Sequence, residues 1–155
     1  MTTKGVSEML IQTKFHGELN IDSIQQWEFP HGLPGLEEEK QFVLLPIEGN
    51  DSFQVMQSVT NTPIALIVSN PYALVENYSI TIDEPTLDLL NIKKQEEVMI
   101  LTVMSLKQPF ESSTMNLQAP LIFNSTNQKA KQMILNDSQF SLRQPIGQPT
   151  EKGAY

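Results

Sequence analysis

The sequence predicts a mainly β fold: a small antiparallel β-barrel-like single domain with one short helix near residues 84–91. Three observations carry this. Short apolar runs rich in β-branched residues recur roughly every ten residues, each closed by Gly, Pro, Asn or Asp. Only one stretch combines a helix start signal with an apolar face. At 155 residues, with no cysteine, the chain is long enough to bury a core without covalent staples.

Taken in order, MLIQTKF ends at His16-Gly17, and ELNIDSIQQWEF ends at Pro30-His31-Gly32. In GELNIDSI, Leu19 and Ile21 face one way while Glu18, Asn20 and Asp22 face the other, the alternation of a half-buried strand. QFVLLPI and SFQVMQSV flank the turn Glu48-Gly49-Asn50-Asp51. PIALIVS and VMILTV are almost wholly apolar and are expected as central strands buried on both faces. YSITI reads as a further β-rich run before the helix. Asp83 is suited to cap that helix, Pro85 to its first turn, and Leu87, Leu89, Leu90 and Ile92 to its apolar side. A shorter helical turn is expected near Leu36-Glu37-Glu38-Glu39. EVMILTVMSL closes at Lys107-Gln108-Pro109, and APLIF and KQMIL flank the turn at Asn124-Ser125-Thr126-Asn127. The expected organisation is an N-terminal extension over 1–8, the barrel domain over 9–143, and a loosely ordered tail over 144–155, rich in Pro, Gly and Gln.

Composition narrows the function. No run approaches the ~18 apolar residues of a membrane span, and MTTKGVSEMLIQTK has no apolar h-region, so a cytoplasmic protein is expected. The net charge is −8, which argues against direct contact with nucleic acid. The charge is uneven: residues 1–100 hold 15 acidic and 5 basic side chains, net −10, against 3 and 5, net +2, afterwards. Such a surface serves solubility, or steers the chain towards a basic partner.

No catalytic constellation emerges. His16 and His31 lie at turns without a Ser, Asp or Glu at catalytic spacing. Ser112, Ser113 and Thr114 lack both a G-x-S-x-G elbow and a nearby base, and read as hydroxyls that satisfy loop backbone. Glu37-Glu38-Glu39 lacks the alternating ligands of a calcium loop and reads as a solvated cluster. No cofactor or metal site and no phosphate-binding glycine motif is expected. What stands out is a set of uncharged amides: Gln54, Gln57, Asn61, Asn70, Asn116, Gln118 and Asn124. In NLQAP, Asn116 and Gln118 alternate with Leu117 and Ala119 before Pro120. The segment either pins a crossover into the strand at Leu121 or presents amides to another chain.

Several phrases, in one order and register, resemble the flagellar assembly factor FliW family. They are Phe29-Pro30-His31-Gly32-Leu33-Pro34-Gly35-Leu36-Glu37, Phe42-Val43-Leu44-Leu45-Pro46, Phe53-Gln54-Val55-Met56-Gln57-Ser58 and Asn70-Pro71. Asn116-Leu117-Gln118-Ala119-Pro120 with Asn124, and Gln132-Met133-Ile134-Leu135, complete the set. The match runs from Met9 to Asn136; His31 departs from the Glu or Asn-like turn residue expected there.

The resemblance implies a non-enzymatic, β-barrel-like bacterial protein with two partners, the translational repressor CsrA and flagellin. On that implication the chain binds CsrA away from its RNA surface and relieves repression of flagellin mRNA, until newly made flagellin takes the chain up. The alternative is a dedicated flagellin chaperone without a translational role. Expected partner-binding residues are Asn116, Gln118, Pro120, Asn124, Gln57, Asn70, Glu37, Glu38 and Glu39, on a chain that is monomeric alone.

Overall fold

The computed structural model describes residues 8–136 and 139–146. A short hairpin, β1 (Leu10–Gln12) and β2 (Glu18–Asn20), stands apart as its own two-stranded sheet. Then β3 (Gln26–Glu28), β4 (Gln41–Ile47), β5 (Asn50–Ser58), β6 (Ala65–Ser69) and β7 (Val98–Ser105) follow as antiparallel neighbours. Strand β8 (Thr114–Met115) pairs with the C-terminal end of β7, and β9 (Leu121–Asn124) with its N-terminal half. Strand β10 (Lys129–Gln132) returns antiparallel on β9 and meets β3 through the parallel register Lys129↔Glu28. That contact closes the ring and protects its edges.

Side-chain alternation explains why these strands curl around a core. On β4, Phe42 and Leu44 point into the ring, where they meet Met56, Leu66, Met99, Leu121 and Phe123. Val43 and Leu45 point outward and are covered by Ile11 and Ile21 of the separate hairpin. Phe29, fully buried, packs edge-on against Phe42 at 5.3 Å and Phe123 at 5.9 Å, while Trp27 meets Phe123 at 5.0 Å. Each such pair contributes about 0.5–1.5 kcal/mol beyond its buried area.

The helix expected near 84–91 is α2 (Glu84–Leu90). The Asp83 carboxylate accepts the Thr86 N–H at 2.9 Å, and Asn91, in the left-handed conformation, closes the C-terminus. Leu90 presses on Ile122 and Met133, covering β9 from outside. In the turn after Phe29, Gly32 has φ +66, and a Cβ there would lie 2.4 Å from the Glu37 carbonyl. Only glycine fits that position.

Several expectations are corrected. Asn70-Pro71 starts an extra helical turn, α1 (Pro71–Leu74), because Asn70 caps it and proline suits its first position. Leu36–Glu39 is a turn closed by Glu39 N–H on the Leu36 carbonyl at 3.0 Å, too tight to continue as a helix. YSITI forms no strand: it crosses the outside of the barrel, where Tyr78, Ile80 and Ile82 supply apolar cover. ELNIDSIQQWEF is split by a turn at Asp22-Ser23, and the strand assigned to KQMIL lies slightly earlier, at Lys129–Gln132. The runs PIALIVS and VMILTV are only half-buried along much of their length, since a barrel wall has one interior face. Finally, the boundary after Arg143 falls too early. Gln144 and Pro145 form β11, paired with Met115 and Thr114, and Ile146 packs beside Phe140.

Candidate partner-binding surface

Two of the amides chosen from the sequence are buried fasteners. Gln57 is fully buried; its Nε2 donates to the carbonyls of Ser58 and Thr62 at 3.1 Å and Ile64 at 3.3 Å, and its Oε1 accepts the Lys14 N–H at 2.9 Å. This one amide ties the β5–β6 turn to the end of β1. Asn124, also fully buried, donates to the carbonyls of Leu90 at 2.8 Å and Asn91 at 3.3 Å. Its Oδ1 accepts the Thr126 N–H at 2.9 Å and hydroxyl at 2.7 Å, locking the end of α2 to the β9–β10 turn. Neither side chain faces outward.

NLQAP is chiefly a crossover. Asn116 Oδ1 accepts the N–H groups of Gln118 at 3.0 Å and Ala119 at 3.1 Å, a turn held by its own side chain. Leu117 is fully buried, and its carbonyl accepts the Tyr78 hydroxyl at 2.7 Å. Pro120 is buried at the entry to β9, with its carbonyl taking the Met133 N–H at 2.9 Å. Gln118 is half-buried, and among the described residues its side-chain amide forms no hydrogen bond. Asn70 is exposed, but its Oδ1 is used to cap α1 at Tyr72 N–H, 2.9 Å.

The acidic run divides in the same way. Glu39 is buried; its carboxylate accepts the Ser58 hydroxyl at 2.6 Å and the Asn61 amide at 3.1 Å, which pins the entry of β4 to the β5–β6 turn. Glu37 is exposed and accepts the Gly35 N–H at 3.0 Å, and Glu38 is exposed beside it. Only these two of the three are surface charges.

Among the described residues, the histidines and the loop hydroxyls make structural contacts or stand alone at the surface. His16 Nε2 lies 2.9 Å from the Pro46 carbonyl, and His31 is exposed in its turn. The buried Ser113 hydroxyl accepts the Lys107 N–H at 2.9 Å, as the loop-hydroxyl reading expects. Among the described residues no three or more His, Asp or Glu come together as a metal site, and no helix is long and apolar enough to cross a membrane. Burial raises the Tyr78 phenol well above its ordinary range, with neighbouring Tyr72 adding to the effect. That phenol is a hydrogen-bond donor to the NLQAP turn, not an acid.

The sequence reading missed an apolar groove on the outside of the barrel. Phe15 and Leu106 are exposed at its rim, 56% and 48%, over Ile47, Val55 and Ile67, enclosing about 660 Å³. The signal was thin: Phe15 sits in a turn, and Leu106 is the last residue of an apolar run.

Comparison with known proteins agrees with this architecture. The family model described as FliW protein matches residues 9–146. The chain is 44% identical over 139 residues to a flagellar assembly factor FliW of Bacillus subtilis (strain 168), spanning 90% of this chain and 97% of that protein. It is 40% identical over 144 residues to one from Oceanobacillus iheyensis, spanning 93% and 98%. A crystal structure of the flagellar assembly factor FliW superposes with a TM-score of 0.83 at 33% identity, covering 88% of this chain and 95% of that one. With sequence and fold in agreement, the chain belongs to the FliW family of flagellar assembly factors.

Proposed function

We propose that this chain is a non-enzymatic, cytoplasmic regulator that binds CsrA, relieves its repression of flagellin mRNA, and is sequestered by newly made flagellin. The observation that supports this reading is the exposed acidic surface. Glu37, Glu38, Glu48, Asp51, Glu84 and Asp88 all face solvent. A basic, RNA-binding partner is drawn to such a surface over the Debye length, about 10 Å at 0.1 M salt. Bound there, the acidic body repels RNA phosphates without covering the RNA site.

A second reading, a dedicated flagellin chaperone, is favoured by the groove between Phe15 and Leu106, whose apolar floor suits an exposed segment of an unassembled subunit. Titration calorimetry of the chain with purified CsrA and with purified flagellin separates the two. Binding to both supports the partner switch; binding to flagellin alone selects the chaperone; binding to neither overturns both.

A further inference from the structure

The barrel wall has a one-strand gap. Strand β6 ends at Ser69 and the chain leaves the sheet at Asn70-Pro71, yet β5 and β7 continue on either side. The space left between them, about 540 Å³, is bordered by Ser52 and Gln54 of β5, four consecutive residues of β7 (Val98 to Leu101), and Asn70 and Tyr72 at the end of β6.

The direction of the β7 backbone groups follows from register. Ser125 N–H donates to the Glu97 carbonyl, so Glu97, Met99 and Leu101 direct their N–H and C=O groups towards β9. Val98 and Ile100 therefore direct theirs the other way, into the gap. The Val98 N–H is used by the Gln95 carbonyl. Among the described residues, the Val98 C=O and both groups of Ile100 have no partner. On the opposite wall, Ser58 N–H donates to the Ile64 carbonyl, so even-numbered β5 residues face β6, and the Phe53↔Ser69 pair sets the Ser52 C=O against the Asn70 N–H. The half-buried Gln54, whose side-chain amide is also unpaired among the described residues, points to the same side of β5 as Met56.

We infer that this gap takes one short extended segment of a protein partner, which pairs with Ile100 and Val98 of β7 and continues the line of β6. Two strands flanking a missing one stand about 9.6 Å apart, twice the ordinary spacing, which is room for a single extended chain. The groups without a partner among the described residues are two acceptors and one donor on β7, the pattern that backbone pairing satisfies. Among the described residues, Asp51 is the only charged side chain bordering the gap. It selects a segment that is neutral or carries Lys or Arg at that end. The inference rests on the partner-binding reading above and specifies where a partner's strand would sit.

Residue-resolved amide hydrogen exchange of the full chain tests it, with CsrA and flagellin as probes. In the dilute free protein, the Ile100 amide exchanges at least ~100-fold faster than those of Met99 and Leu101, which donate to β9. Adding a probe that binds slows Ile100 to the rate of its neighbours. As a second measurement, Ile100→Pro removes that N–H at an edge position where proline is tolerated, and weakens binding of the same probe about tenfold, while Ile100→Val retains it. Ile100 already protected in the dilute free protein would overturn the inference. So would protection that grows with the concentration of this chain alone, since the occupant would then be a second copy. Calorimetric binding that leaves Ile100 fast overturns the gap but spares the partner reading; absence of any binding removes both.

Discussion

Asn124→Ala removes four hydrogen bonds at once, and the surroundings decide what each loss is worth. Thr126 is exposed, so its N–H and hydroxyl turn to water at little cost. The Leu90 carbonyl keeps the Asn127 amide at 2.9 Å and is not orphaned. What remains is the net value of the lost bonds, about 0.5–1.5 kcal/mol for each well-formed one, together with a small cavity in a fully buried site. The expected loss is about 2–3 kcal/mol, or about 6–9 °C in Tm for a domain of this size. Asn124→Asp is the sharper companion. It sets a carboxylate oxygen against the Leu90 carbonyl, which raises the folded-state pKa of the introduced group. Its excess destabilisation is therefore full above that raised pKa and shrinks as pH falls through it and the carboxyl regains a proton to donate. Chemical denaturation at two pH values reads both effects. Stability unchanged within about 0.5 kcal/mol, with binding of CsrA or flagellin lost, would refute the fastener role and return Asn124 to the partner surface.

Asn116→Ala is expected to lower stability by about 1 kcal/mol through the lost turn, while Gln118→Ala leaves melting nearly unchanged; thermal melts beside calorimetry show whether Gln118 alone weakens a partner. Reversing Glu37 and Glu38 to Lys slows CsrA association in low salt and is compared by stopped flow with reversal of Glu84 and Asp88, leaving the α2 cap Asp83 in place. Glu39 is excluded from that test, because its carboxylate is buried on Ser58 and Asn61 and Glu39→Lys would cost several kcal/mol. Truncation after Arg143 removes β11 and the Ile146 contact, and is expected to cost about 2 kcal/mol or more in denaturation, not to be neutral.

The barrel was legible wherever local chemistry and packing agree. QFVLLPI is β4 residue for residue, since its alternate side chains find cover on both sides, and Asp83 and Pro85 mark the start of α2. Where the outcome depends on distant partners, the sequence is silent. Gln57 and Asn124 look like surface amides until their acceptors arrive from other elements: Lys14 for one, Leu90 for the other. Glu39 looks like its neighbours Glu37 and Glu38 until the β5–β6 turn brings Ser58 to it. YSITI has strand composition but pairs with no strand among the described residues, and its apolar side chains serve as outer cover. The start of the tail, at 144–146, was misplaced for a related reason, while 147–155 lie outside the described residues. Pro145 is compatible with an edge strand, and its composition alone did not reveal that β8 offers one. Asn70-Pro71 carried a readable cap signal whose consequence, the early end of β6, is what opens the wall beside Ile100.

A switch between two protein partners is read out by fluorescence anisotropy of labelled flagellin-leader RNA bound to CsrA. Adding this chain is predicted to lower the anisotropy as RNA is released, less so as salt rises, and adding flagellin afterwards is predicted to restore it. Anisotropy that stays constant through both additions, at chain concentrations well above that of CsrA, would rule out the switch.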